Sequence, residues 1–130
     1  MDLMKLGFGD NSFDVVTAVE CLQHVDIHIT IPEFMRVTRQ NGMIAISVPN
    51  RKDPIIKKAE IRNNGLFQGV DWLNLREFLN RDERVKCIRI KPLIFARDQS
   101  EKPYLDAEFK QRLSEEEIEQ ANRFIIHIEL

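Results

Sequence analysis

One hundred and thirty residues, 43% apolar and 31% charged, suffice for one domain with a real core and are too few for two. A net charge of −2 excludes bulk electrostatic attraction to nucleic acid, and no apolar run approaches the roughly 20 residues that span a bilayer. The start, Met1-Asp-Leu-Met-Lys5, lacks the apolar stretch of a secretory signal, and Cys21 and Cys87 have no Cys-x-x-Cys spacing. The expectation is a cytoplasmic protein with two reduced thiols, and with neither nucleic acid nor membrane as a partner.

In chain order, the polar cluster Asp10-Asn11-Ser12 is a turn. Residues 13–19 follow as a β-branched run of the kind buried on both faces of a sheet. After the loop Gln23-His24-Val25 a helix is expected, capped by Thr30, with Pro32 in its first turn and Phe34, Met35 and Val37 on its apolar face. Asn41-Gly42 should end it by offering a residue able to take φ > 0. Residues 43–48 form a second apolar strand that Pro49 stops, which makes a βαβ unit with parallel pairing.

Further on, Ile55, Ile56 and Ala59 suggest a short helix closed by the turn Asn63-Asn64-Gly65. Asp71 can cap a helix carrying Trp72, Leu75, Phe78 and Leu79 at core spacing. Residues 85–91 alternate as a strand, Pro92 interrupts it, and residues 93–96 read as a last strand near an edge. Residues 97–103 are polar and linker-like. Ser114-Glu-Glu-Glu117 is a capping-box pattern that opens an amphipathic helix over Ile118, Ala121, Phe124 and Ile125.

Two blocks carry a family resemblance. Residues 2–25 hold Asp2, then Leu6-Gly7-Phe8, Ser12-Phe13-Asp14-Val15-Val16 and Leu22-Gln23-His24-Val25. Residues 33–49 hold Glu33-Phe-Met-Arg36-Val-Thr-Arg-Gln-Asn-Gly42 and the strand after it. Both resemble the class I S-adenosylmethionine-dependent methyltransferases, of the type 11 kind, in the C-terminal half of that domain. Gly7 replaces a proline of the family pattern, and Gln40-Asn41-Gly42 replaces Pro-Gly-Gly.

The resemblance implies an α/β fold: family strands 4 to 7 of a Rossmann-like sheet with flanking helices and a helical tail. Residues 1–97 would be the partial methyltransferase domain, and residues 98–130 a linker and amphipathic helix packed on it. It implies S-adenosyl-L-methionine as cofactor and a small-molecule methyl acceptor. Asp2 would accept a hydrogen bond from the adenine amino group, the N–H of Leu3 would meet an adenine ring nitrogen, and Val19 would border the methionine moiety. His24 would be the base that takes a proton from the acceptor.

The glycine-rich loop that the family places before this block is not among these residues. The lone chain is therefore expected to hold an incomplete site, completed in a homodimer or by an N-terminal half on another chain. The rival expectation is a non-catalytic remnant or regulatory subunit that pairs through the edge of residues 13–19. Glu20-Cys-Leu-Gln-His24 is similar to a Glu-x-x-Glu-His metal motif, but Gln23 stands where a carboxylate would be needed, so no metal is expected.

Overall fold

A computed structural model describes residues 1–97, 103–106 and 121–130. Its elements are β1 (Phe13–Ala18), a 3₁₀ turn (Leu22–His24), α1 (Ile27–Val37), β2 (Thr38–Pro49), α2 (Pro54–Arg62), α3 (Trp72–Asn80), β3 (Cys87–Arg97), β4 (Pro103–Asp106) and β5 (Arg123–Glu129). They build one five-stranded sheet in the order β1-β2-β5-β3-β4. β1 and β2 run parallel, as the βαβ reading requires, and the other pairings between these strands are antiparallel.

The core lies on one face of this sheet. Ala18, Ile46, Ile126 and Ile90 stand in register across four strands, with Ile44, Val48, Phe124 and Ile128 on the same face. Ile31, Phe34 and Met35 of α1 and Trp72, Leu75 and Leu79 of α3 complete the cluster. The α/β fold expected from sequence is therefore present.

Several local expectations are corrected. The helix expected over Ala121, Phe124 and Ile125 is not there: residues 123–129 are β5, a central strand. The physical reason is the alternation of Phe124, Ile126, Ile128 and Leu130, all buried, with half-buried Arg123, Ile125, His127 and Glu129. A central slot between β2 and β3 rewards that period and its β-branched residues. The rest of the expected tail, Ser114 to Ile118, lies outside the described residues, as does most of the linker.

Residues 13–19 are not buried on both faces, since β1 is an end strand and exposes Phe13 and Val15. α1 starts earlier than expected because Asp26, not Thr30, caps it: Asp26 Oδ1 accepts from His28 N at 2.9 Å. Thr30 instead turns its hydroxyl back onto Asp26 O at 2.8 Å, and Pro32 falls inside the helix. β3 runs through Pro92 rather than ending there. β4 pairs only with residues 94–97, so at Pro92 only one side of β3 has a described neighbour, which a residue without an N–H tolerates.

The helix over residues 54–62, the turn at Asn63-Asn64-Gly65 and the Asp71 cap are as expected. Cys21 and Cys87 are free thiols.

α1 already ends at Val37, so Asn41-Gly42 does not terminate it; Gln40-Asn41-Gly42 is instead an irregularity within β2 that divides its labour between two residues. Asn41 takes the left-handed conformation, with φ 63°, while Gly42 is needed for space. A Cβ there would lie 2.7 Å from Asp14 O and from Thr38 Cγ2. This close approach coincides with the register shift between the Phe13 and Val15 pairings. Asp14, the second residue of β1, pairs its carboxylate with Arg39.

Candidate functional site

Ligands of open α/β sheets gather at the carboxyl ends of the strands. At the carboxyl end of β1 the chain makes a strained turn: Glu20 adopts φ 54°, a left-handed conformation that costs a non-glycine residue about 1 kcal/mol. Four contacts hold it. Its N–H donates to Ser47 Oγ at 3.1 Å, and Ser47 Oγ donates to Glu20 Oε1 at 3.3 Å. Its carbonyl accepts from Gln23 Nε2 at 2.8 Å. Its Oε2 lies 3.1 Å from Arg123 Nη1, within ion-pair reach but off the line of a hydrogen bond. The result fixes the 3₁₀ turn that carries Gln23 and His24.

His24 is exposed at the end of that turn. Its Nδ1 lies 3.1 Å from Leu66 O, and its ring meets the edge of Phe67 at 5.8 Å. A carbonyl oxygen only accepts, so the contact assigns the proton to Nδ1 and leaves Nε2 toward solvent. Glu20 and His24 serve different partners. Neighbouring Cys21 has its thiol pKa pushed up by burial and by the charge of Glu20, which disfavours a reactive thiolate.

A cavity of about 630 Å³ opens beside this turn. Gln23, His24, Asp26 and His28 form one wall, Gln68, Asp71 and Asn74 another, and Met4 closes one side. His28 stacks edge-on with Phe78 at 4.7 Å. His24 and the N-terminal turn that bears Asp2 and Leu3 thus meet at one cavity.

In that turn Asp2 Oδ1 accepts from Met4 N at 2.9 Å, and Lys5 N donates to Asp2 O at 3.2 Å. Oδ2 of Asp2 and the N–H of Leu3 have no described partner, the acceptor and donor pair that an adenine edge requires. The residues present therefore fit the adenine end of the expected cofactor. Val19 is 70% exposed just past the end of β1 and lies apart from the cavity wall.

The motif Glu33-x-x-Arg36 was legible as a pattern but not as a device. One helical turn apart on α1, the two side chains clamp the loop of residues 6–10. Glu33 Oε1 accepts from Leu6 N at 2.8 Å. Arg36 donates to Leu6 O at 3.1 Å, to Phe8 O at 2.9 Å and to Asp10 Oδ1 at 2.7 Å. Arg36 also donates to both oxygens of Glu33, at 2.7 and 2.9 Å. The hydrogen bonds from Arg36, then that from Leu6, hold the Glu33 carboxyl at a pKa of about 2 against the opposing effect of burial. The Arg36 guanidinium is in turn pushed above its ordinary value by its hydrogen bonds to Glu33 and then to Asp10. The clamp ties the adenine-side loop to the helix behind it.

Residues 1–46 match a family model described as a methyltransferase domain. Over those residues the chain is similar to methyltransferase domains. The fold agrees with solved methyltransferases. A methyltransferase of Thermotoga maritima, described as a possible histamine N-methyltransferase, superposes with TM-score 0.71 at 13% identity, covering 98% of this chain and 60% of that one. A methyltransferase of Archaeoglobus fulgidus superposes with TM-score 0.70 at 13% identity, covering 100% of this chain and 66% of that one. In sequence, an uncharacterised protein of Methanocaldococcus jannaschii is 35% identical over 63 residues, which is 48% of this chain and 27% of that protein. This chain thus spans less than two thirds of each of these proteins. Among the described residues, no helix is long and apolar enough to cross a membrane.

Proposed function

We propose that this chain contributes the adenine edge and the acceptor side of the site of an S-adenosylmethionine-dependent methyltransferase acting on a small molecule. The observation that carries the proposal is the shared wall. Met4, next to the Asp2-Leu3 pair, lines the same cavity as His24. Asp2 Oδ2 and the Leu3 N–H would hold the adenine, and Val19 offers an open apolar surface beyond β1. The cofactor, when bound, supplies a methyl group on a positively charged sulfur.

The remaining work falls to this chain's own side chains. His24 Nε2, its tautomer set by Leu66 O, takes the proton that an attacking oxygen or nitrogen must lose. The cavity's volume is that of sites for small molecules rather than for polymers. Adenine contacts alone bind weakly, with Kd on the order of millimolar for the chain by itself.

Calorimetric titration with S-adenosylmethionine tests the assignment. The expected result is saturable binding that Asp2→Ala weakens roughly tenfold, the scale of a hydrogen bond to a charged group. Equal binding by the wild type and Asp2→Ala would remove Asp2 from the site.

A second reading is a non-catalytic methyltransferase-like subunit that pairs with a second copy through β1. It is favoured by Val15, 50% exposed on an end strand whose outer edge has no described neighbour. Sedimentation velocity distinguishes it: a dimer abolished by Val15→Lys supports pairing, and a monomer at high concentration removes it.

A further inference from the structure

Residues 51–66, which include α2, hold five cations and two carboxylates in a chain whose net charge is −2. The fold sorts these charges. Both carboxylates turn inward. Asp53 is buried, accepts from Ile55 N at 2.9 Å and accepts from Asn122 Nδ2 at 2.8 Å. Glu60 accepts from Gly69 N at 2.6 Å and lies 3.5 Å from Arg51 Nε. The cations of α2 face the other way: Lys57, Lys58 and Arg62 are exposed and have no partner among the described residues.

Helical spacing puts Ile55, Lys57, Lys58, Ile61 and Arg62 on one half of α2 and Ile56, Ala59 and Glu60 on the other. Only Ile56 buries its side chain. The outer half is therefore basic and apolar at once, with no carboxylate on it. Ile61 is 79% exposed, and Leu66, just beyond the helix, is 78% exposed. Lys58 and Arg62 stand one turn apart, a like-charge spacing that weakens a helix until an anion meets it.

The composition of this face selects among anionic partners. Protein-binding faces are enriched in aromatic residues and depleted in lysine, whereas α2 has two lysines and no aromatic residue. Nucleic acid would take up the cations and leave Ile61 and Leu66 in water. An anionic lipid surface meets both needs: its headgroups face the cations, and the boundary beneath them accepts the apolar side chains. Neither the net charge of −2 nor the lack of a bilayer-spanning run opposes this, because a surface contact depends on the local patch.

We propose that α2 and the turn after it dock on an anionic lipid surface through Lys57, Lys58, Ile61, Arg62 and Leu66. Arg51 before the helix and Gly65, Gln68 and Gly69 after it line the cavity beside His24, so docking holds that cavity at the surface. That the cavity then receives an acceptor from the surface rests on the function proposed above; the docking does not.

The test is flotation of the full chain with vesicles of phosphatidylcholine alone, or with about one third phosphatidylserine. The expected result is binding about tenfold tighter to the anionic vesicles, a preference that high salt removes. Lys57→Gln and Lys58→Gln should each weaken it roughly fivefold, the scale of one cation near such a surface. Ile61→Ser should weaken it several-fold, while Lys86→Gln, outside the segment, should leave it unchanged. All these positions are exposed, so an unchanged urea midpoint confirms that each variant folds. Equal binding to both vesicle types, no binding to the anionic ones, or undiminished binding by the Lys57→Gln, Lys58→Gln double variant would overturn the proposal. So would retention on polyglutamate or duplex DNA with none on vesicles. S-adenosylmethionine-induced shifts at residues 2–6 test the methyltransferase assignment independently of any of these results.

Discussion

Truncation of Ile126 tests the arrangement of the C-terminal strand. Ile126 is fully buried, in register with Ile46 of β2 on one side and Ile90 of β3 on the other. Ile126→Ala removes three carbons, worth about 0.8 kcal/mol each in transfer, or about 2.4 kcal/mol together. The central slot is closed by strands on both sides and cannot collapse, so a cavity contribution brings the loss to about 3–4 kcal/mol. Ile125 points to the other face, opposite Ser47 and Lys91, and is only half-buried; the same truncation there should cost about 1 kcal/mol. Urea unfolding followed by the fluorescence of Trp72, the single tryptophan, reads both. Trp72 lies 6.3 Å from the ring of Phe124 on the same strand. Heating should show the difference as well, at roughly 3–5 °C per kcal/mol for a chain of this size. In a helix, Ala121, Phe124 and Ile125 would share the buried face and Ile126 would leave it. A larger loss at Ile125 than at Ile126 would therefore refute the strand and the sheet built on it.

Further outcomes follow from single sites. Gly42→Ala should cost about 1–3 kcal/mol in chemical denaturation, because its Cβ meets backbone oxygens of Asp14 and Arg39 within 2.8 Å; a neutral change would mean the β1–β2 junction relaxes freely. Asn41→Ala should cost about 1 kcal/mol for its left-handed φ, and Asn41→Gly much less, measured the same way. Glu33 has a folded pKa of about 2 against an ordinary 4.5, so its contribution is fully present above 4.5 and is lost as pH falls toward 2. The gap in urea midpoint between wild type and Glu33→Gln should accordingly be widest above that range and close below it. A gap that grew on acidification would reverse the sign and disprove the clamp. Loss of Arg36 in Arg36→Met should broaden the amide resonances of residues 6–10 while leaving those of β5 unchanged.

The parts of the fold that depend on local chemistry were legible in the sequence. Asp71 and the Asn63-Asn64-Gly65 turn declare themselves through a single residue type at a single position, and β2 through its unbroken apolar run. The parts that depend on distant partners were not. Residues 118–125 satisfy a helical period as well as residues 124–130 satisfy a strand period; only the slot between β2 and β3 decides for the strand. Asp26 was passed over as a cap because β-branched Ile27 and Ile29 do not resemble the start of a helix. For the site, Asp2, Leu3 and His24 could be named by resemblance, whereas Gln23 could not. Its amide donates to Glu20 O and so fixes the turn that carries His24, which no spacing reveals. The Glu33–Arg36 clamp was hidden because its partners in the loop, backbone atoms of Leu6 and Phe8 and the Asp10 carboxylate, lie 26 to 30 residues away.

The most direct test of the account is an amide chemical-shift map of the 15N-labelled chain under titration with S-adenosylmethionine. The account predicts saturable shifts at residues 2–6 and near Val19 and His24, reduced in Asp2→Ala, with β3 and β5 undisturbed. Shifts confined to other parts of the molecule, or none at millimolar cofactor, would contradict it.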